Sequence, residues 1–190
     1  MTLLLVGMLL FVGAHSVSIV APRWREGMAA RLGEPSWKGL YAVVSLVGFV
    51  LLILGYSAAR QAPVVLWVPP AWTRHVALVL MLPVFPLLIA TYLPGRISRA
   101  AKHPMLLALK LWATAHLLAN GMLADAVLFG GLLAWAVAER ISLKRRAARP
   151  FARAPSMGAN DLVAVGLGLM VYVASVAALH EALFGVSPLP

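Results

Sequence analysis

Six stretches of this sequence are apolar for long enough to cross, or nearly cross, a lipid bilayer, and little of the chain lies outside them. They run from Thr2 to Val20, Trp37 to Ala59, Trp72 to Leu93, Pro104 to Ala119, Met122 to Ala138 and Asp161 to Phe184. A helix needs about 20 apolar residues to cross the hydrocarbon core. A chain of 190 residues has room for six such helices and for no soluble domain of useful size. The runs lack the alternation of a lipid-facing barrel strand, and six acidic residues are too few to line a polar barrel lumen. The sequence therefore reads as an all-α polytopic membrane protein of about six transmembrane helices, a single domain over 1–190. Composition agrees: 62% of the residues are hydrophobic and only 12% are charged, about half the charge of a soluble domain.

The charges that remain are strongly ordered. Sixteen Lys and Arg stand against six Asp and Glu, a net charge of +10. In a soluble protein that balance suggests nucleic acid. Here the basic residues sit between the apolar runs, so no nucleic-acid partner is expected. Arg23, Arg25, Arg31 and Lys38 follow the first span, and Arg96, Arg99 and Lys102 follow the third. Arg140, Lys144, Arg145, Arg146, Arg149 and Arg153 follow the fifth, while the opposite side holds only Arg60 and Arg74. Basic loops stay cytoplasmic, so both chain ends are expected on the non-cytoplasmic side of a multi-pass protein. Met1 to Val20 has no basic flank before its apolar run and reads as a first span rather than a cleaved signal peptide. Cysteine is absent, which excludes disulfides, thiolate ligands and iron–sulfur clusters.

Two connections stand out. Asn120-Gly121 alone separates the fourth and fifth spans and predicts a tight helical hairpin. Pro22 to Glu34 is short and basic, with Trp24, Met28 and Leu32 at helical spacing, and reads as a helix lying in the membrane interface.

Ionisable side chains inside spans are costly and mark function. His75 and His180 fall near helix ends, where an imidazole reaches water. His103 precedes Pro104 at a helix start and reads as a cap or headgroup contact. His15 and His116 lie deeper. Each suits an interhelical hydrogen bond or ligation of haem iron, which needs only two imidazoles from two helices. By depth, His180 or His75 matches His116 better than His15 does. Trp112, His116 and Asn120 share one helix face, with Ala113 beside them leaving room for a flat ligand. Asp125 lies as far past the turn as His116 lies before it, so it is expected to accept a hydrogen bond from the His116 ring, or else to cap its own helix. Lys110 reads as a snorkelling side chain.

The segments LLFVGAHSVSIVAPRWR, RLGEPSWKGLYAVVSLVGFVLL, VVLWVPPAW, YLPGRI, KHPMLLALKLWATAHLLANG and ERISLKRR resemble the NnrU family of bacterial membrane proteins over nearly the whole chain. That family is associated with nitrite and nitric oxide reduction, which implies the bacterial inner membrane. It is similar to the 15-cis-zeta-carotene isomerase, a haem-b membrane enzyme. The isomerase's early His-Ser matches His15-Ser16, and its later segments match His103-Pro104 and Trp112 to His116. The resemblance implies haem b with His15 and His116 as axial ligands, supported by Trp112, Asn120, Asp125 and His103. The chemistry implied is redox, sensing or isomerisation, with nitric oxide or a hydrophobic small molecule as substrate. Where the isomerase has a cysteine three residues before its second ligand, this chain has Ala113, so switching to a thiolate ligand is excluded.

A second pattern points elsewhere. Lys102-His103-Pro104 resembles the cofactor-binding segment of membrane methyltransferases that use S-adenosylmethionine, with Glu139-Arg140 in place of their paired glutamates. A third reading is a non-enzymatic accessory protein, packing against a membrane partner or a second copy through Gly158, Gly166 and Gly168.

Overall fold

A computed structural model describes residues 1–146 and 151–189; Arg149, one of the cytoplasmic basic residues expected above, lies outside them. The described chain is helical. Its segments are α1 (Thr2–Val20), α2 (Pro22–Leu32), α3 (Glu34–Gln61), α4 (Thr73–Met81), α5 (Val84–Tyr92), α6 (Arg96–Ala101) and α7 (Pro104–Ala119). They continue with α8 (Leu123–Asp125), α9 (Gly131–Ser142), α10 (Asn160–Ala174) and α11 (His180–Phe184). A π turn at Ala126–Gly130 joins α8 to α9, and another at Ser175–Leu179 joins α10 to α11. The β pairing among the described residues is one isolated bridge, Val65 to Met122.

Four helical segments are long and apolar enough to cross a membrane: Thr2–Val20, Glu34–Gln61, Thr73–Tyr92 and Asn160–Phe184. The protein is thus an all-α membrane protein. The fourth expected span, α7, has 16 residues, about 24 Å of helix against a core of about 30 Å. The fifth is helical through α9 but carries Asp125, and Glu139 and Arg140 follow directly after it. Proline breaks the third span into α4 and α5. Pro83 has no N–H to donate, and the Leu82 N–H turns back to the Val79 carbonyl.

The helices group into two compact units, each built from two separate pieces of chain. The first comprises Met1–Leu66 and Met122–Ser142, the second Trp67–Gly121 and Leu143–Pro190.

In the first unit, glycine lets α1 and α3 touch backbone to backbone. A Cβ at Gly7 would lie 2.6 Å from the Leu52 nitrogen, one at Gly48 would lie 2.6 Å from the Phe11 nitrogen, and one at Gly55 would strike the Leu4 backbone. Small residues at a helix seam are the usual route to close packing in lipid, where burial drives association weakly. Leu4, Leu52, Ala59 and Ala124 fill the buried core beside this seam. The segment expected in the interface is α2, and Pro22 starts it at the first helical position. Arg25 ties it to α3 through Glu34 at 3.2 Å and lies 5.8 Å from the Trp37 ring.

In the second unit, Val84, Leu87 and Ala108 form the core between α5 and α7. Gly168 brings α10 against Pro86 of α5. The start of α10 is tied down by side chains: Asp161 accepts the Arg96 and Ile97 N–H groups at 2.7 and 3.0 Å, and Asn160 donates to the Pro94 carbonyl at 2.9 Å. Farther along, the Tyr172 hydroxyl donates to the Leu78 carbonyl. The outer side of α10 carries exposed Leu162, Met170 and Val173, apolar surface suited to lipid.

Candidate functional site

In the first unit, His15 lies one turn after Phe11 on α1. Its Nδ1 is 2.7 Å from the Phe11 carbonyl. A carbonyl oxygen only accepts, so Nδ1 carries a proton. Aromatic rings enclose the imidazole: Phe11 at 4.3 Å, Tyr41 at 5.3 Å and the edge-on Trp135 at 5.7 Å between centroids. Glu139, one turn beyond Trp135 on α9, acts electrostatically on both His15 and Tyr41. The Trp135 indole nitrogen is buried with no hydrogen-bond partner among the described residues.

The same unit holds the buried acid. Asp125 is 2% exposed. The Tyr56 hydroxyl donates to its Oδ1 at 2.6 Å, and the Met122 N–H donates to its Oδ2 at 2.8 Å. The carboxylate thereby closes the first turn of its own helix, the capping arrangement that was the alternative to a His116 bond. The neighbouring chain is fixed as well, because the Leu123 N–H donates to the Val64 carbonyl at 2.8 Å. Arg60 stands over the Tyr56 ring at 5.8 Å.

In the second unit, His116 repeats the His15 arrangement. Its Nδ1 lies 2.8 Å from the carbonyl of Trp112, four residues earlier, and the two rings are 4.8 Å apart. Asn120 closes this helix end twice, with its side-chain amide and its backbone N–H both donating to the His116 carbonyl at 2.9 Å. Trp112, His116 and Asn120 thus act as one unit, as their spacing predicts. Ala113 differs from expectation: it is fully buried, so its methyl is packed against neighbours instead of bordering an open slot.

The same unit places a second imidazole opposite His116. The His180 ring lies 6.4 Å away between centroids, with the planes 30° apart. Its Nδ1 is 2.7 Å from the Val186 carbonyl. The chain reaches that position because Gly185 adopts a left-handed φ of 68° after α11. His75 is exposed on α4. His103 caps α7 with an extended backbone, following Lys102 at a φ of 60°.

Three groups escaped the sequence reading. Tyr56 lies 69 residues from Asp125, and no periodicity links such positions. Tyr41 and Trp135 stand in separate apolar runs, and nothing in their spacing ties them to His15. His180 read as a side chain reaching water, although its depth already matched that of His116. No group of three or more His, Cys, Asp or Glu side chains arranged to hold a metal ion occurs among the described residues. An axial haem site asks for only two ligands.

No curated protein and no solved structure gives a significant match to this chain. A family model does: the one described as NnrU protein matches residues 3–188. That match covers almost the entire sequence, both units included, and the chain belongs to the NnrU family.

Proposed function

We propose that this protein is a haem-b-binding protein of the bacterial inner membrane that serves nitrite and nitric oxide metabolism. The observation that carries the reading is the state of His116. Its Nδ1–H donates to the Trp112 carbonyl, and Nε2 is the nitrogen a metal would take. Metal-binding histidines are held in this way, with the far ring nitrogen donating to a backbone oxygen or carboxylate that sets tautomer and orientation. Asn120 steadies the carbonyl of the same residue, so the ring is presented from a fixed helix end.

The residues present fit the group. The donor set is imidazole, with no cysteine in the chain, and imidazole pairs hold haem b in low-spin, electron-transferring sites. His116 supplies one nitrogen. For the other, the resemblance names His15, whose local bond is the same, while the second unit offers His180. A bound haem would supply one-electron chemistry and, when one ligand leaves, a site for a small ligand such as nitric oxide. The protein's part is to hold the imidazoles in one tautomer and keep bulk water from the site.

The test is an oxidised-minus-reduced visible spectrum of the full chain, purified in mild detergent from haem-supplemented cells. The expected result is a stoichiometric Soret band with sharp low-spin α and β bands, lost in His116→Ala. A flat spectrum from folded protein would sink the proposal.

A further inference from the structure

We propose that the second unit carries a binding site for one anionic phospholipid where α6 meets the start of α10, with the phosphate on Arg96 and Arg99 and an acyl chain along α10. The site is separate from the histidines and does not depend on haem.

Three observations carry it. The first is a groove with two kinds of wall. It is open, encloses about 770 Å³, and is lined on one side by Arg96 and Arg99 of α6. On the other side it is lined by Met157 and by Leu162 and Val165 in the first turns of α10. The two arginines are exposed and three residues apart, so they share one face of α6. Paired guanidinium groups present forked donors to phosphate oxygens. Met157, Leu162 and Val165 are exposed as well, and Gly166 follows with open space around it. A hydrocarbon chain can therefore run along α10 from Leu162 past Gly166. A cationic head site that opens onto an apolar track is complementary to a lipid, whereas a soluble anion would use the head site alone.

The second is the balance of charge. Asp161 also lines the groove, but both its oxygens are engaged, by the Arg96 and Ile97 N–H groups. The amides that open α6 are thereby used up, and an anion must be met by side chains. The guanidinium groups of Arg96 and Arg99 form no salt bridge among the described residues. Two positive charges beside one engaged carboxylate leave the groove positive.

The third is depth. Tyr92 ends one membrane-long helical segment and Asn160 begins another. The groove lies beside these two ends, at the level of the headgroups, on the side that the basic loops mark as cytoplasmic. Basic pockets at this level hold anionic headgroups. The walls are also tied in place. The Asn160 amide donates to the Pro94 and Pro155 carbonyls at 2.9 and 3.0 Å, and the Ser156 hydroxyl donates to Pro94 at 3.3 Å. The Ala154 N–H donates to the Tyr92 carbonyl at 2.9 Å. A lipid meets a shape already formed, which lowers the ordering cost of binding.

The experiment titrates the full chain in mild detergent with phosphatidylglycerol and, separately, with phosphatidylcholine, and counts retained lipid by native mass spectrometry. Both lipids carry a phosphate, but only the first has a net negative charge. The expected result is one retained phosphatidylglycerol, preferred roughly thirtyfold, at about fivefold for each arginine. The double variant Arg96→Ala/Arg99→Ala is expected to bind both lipids equally. Lys144→Ala/Arg145→Ala, which removes the same charge from the same unit, is expected to keep the preference. The bond from Arg96 to Asp161 is made by the backbone, so the first double variant retains it, and an unchanged unfolding temperature without lipid checks that it folds. Arg99→Glu, a single exposed change, is expected to abolish the preference by itself. Inorganic phosphate, and glycerophosphoglycerol as the headgroup without chains, are expected to leave the bound lipid in place at concentrations equal to it. Displacement by either would overturn the lipid as occupant. A preference that survives Arg96→Ala/Arg99→Ala, or that falls equally in Lys144→Ala/Arg145→Ala, would overturn the site.

Discussion

His15 and His116 make the same bond and live in different surroundings. Each donates Nδ1 to the carbonyl four residues back, at 2.7 and 2.8 Å. Around His15 the first unit wraps Phe11, Tyr41 and Trp135, and its buried acid is satisfied by a tyrosine and a backbone amide. Around His116 the second unit sets a tryptophan and another imidazole. The back-bond to the helix is a local consequence of a histidine inside an apolar helix, where a donor needs a partner. It prepares a ring for ligation without assigning it one. What surrounds the two rings differs: an aromatic cage in the first unit, and a tryptophan with a second imidazole in the second.

The contrast predicts two separable kinds of damage. Asp125→Ala should be the most destabilising change, by about 3 kcal/mol, because a buried tyrosine hydroxyl and a backbone N–H lose a charged acceptor together. Thermal unfolding in detergent reads it, and the haem spectrum of the surviving folded protein should be unchanged. A spectral loss equal to that of His116→Ala would erase the division between the units. Gly55→Ala comes next, at about 2 kcal/mol, since its methyl must push α3 off the Leu4 backbone. Tyr56→Phe should cost about 1 kcal/mol, as one hydrogen bond to a carboxylate that keeps its amide donor. Gly185→Ala should cost about 1 kcal/mol through its left-handed φ. Gly166→Ala, with open space around it, should shift unfolding by less than about 0.5 kcal/mol.

The sequence showed the helices well and the groupings poorly. Hydropathy located α1 and α7 at their observed ends, because Pro22 and Pro104 punctuate them. It missed the π turns, which change the count of residues per turn without changing composition. It also missed α6, too short and too charged to register as an apolar run. The face shared by Trp112, His116 and Asn120 was readable because helical spacing alone fixes it. Asp125 was expected to accept from the His116 ring or to cap its own helix; it caps the helix, and its hydroxyl partner, Tyr56, comes from far along the chain. Pairings between distant segments depend on which helices pack together, and helices apolar on all sides carry no stripe that declares it.

The two units also interleave along the chain: each begins, is interrupted, and resumes. A ribosome therefore finishes neither in one pass. The α1–α3 seam can close early, but Asp125 and Met122 emerge only after the whole stretch from Trp67 to Gly121. Tyr56 must wait through that interval, as must the carbonyl of Val64. His116 in turn is made long before His180, so the imidazole pair is completed last. No single cut of the gene releases either unit intact, and co-produced fragments would have to exchange segments to rebuild one.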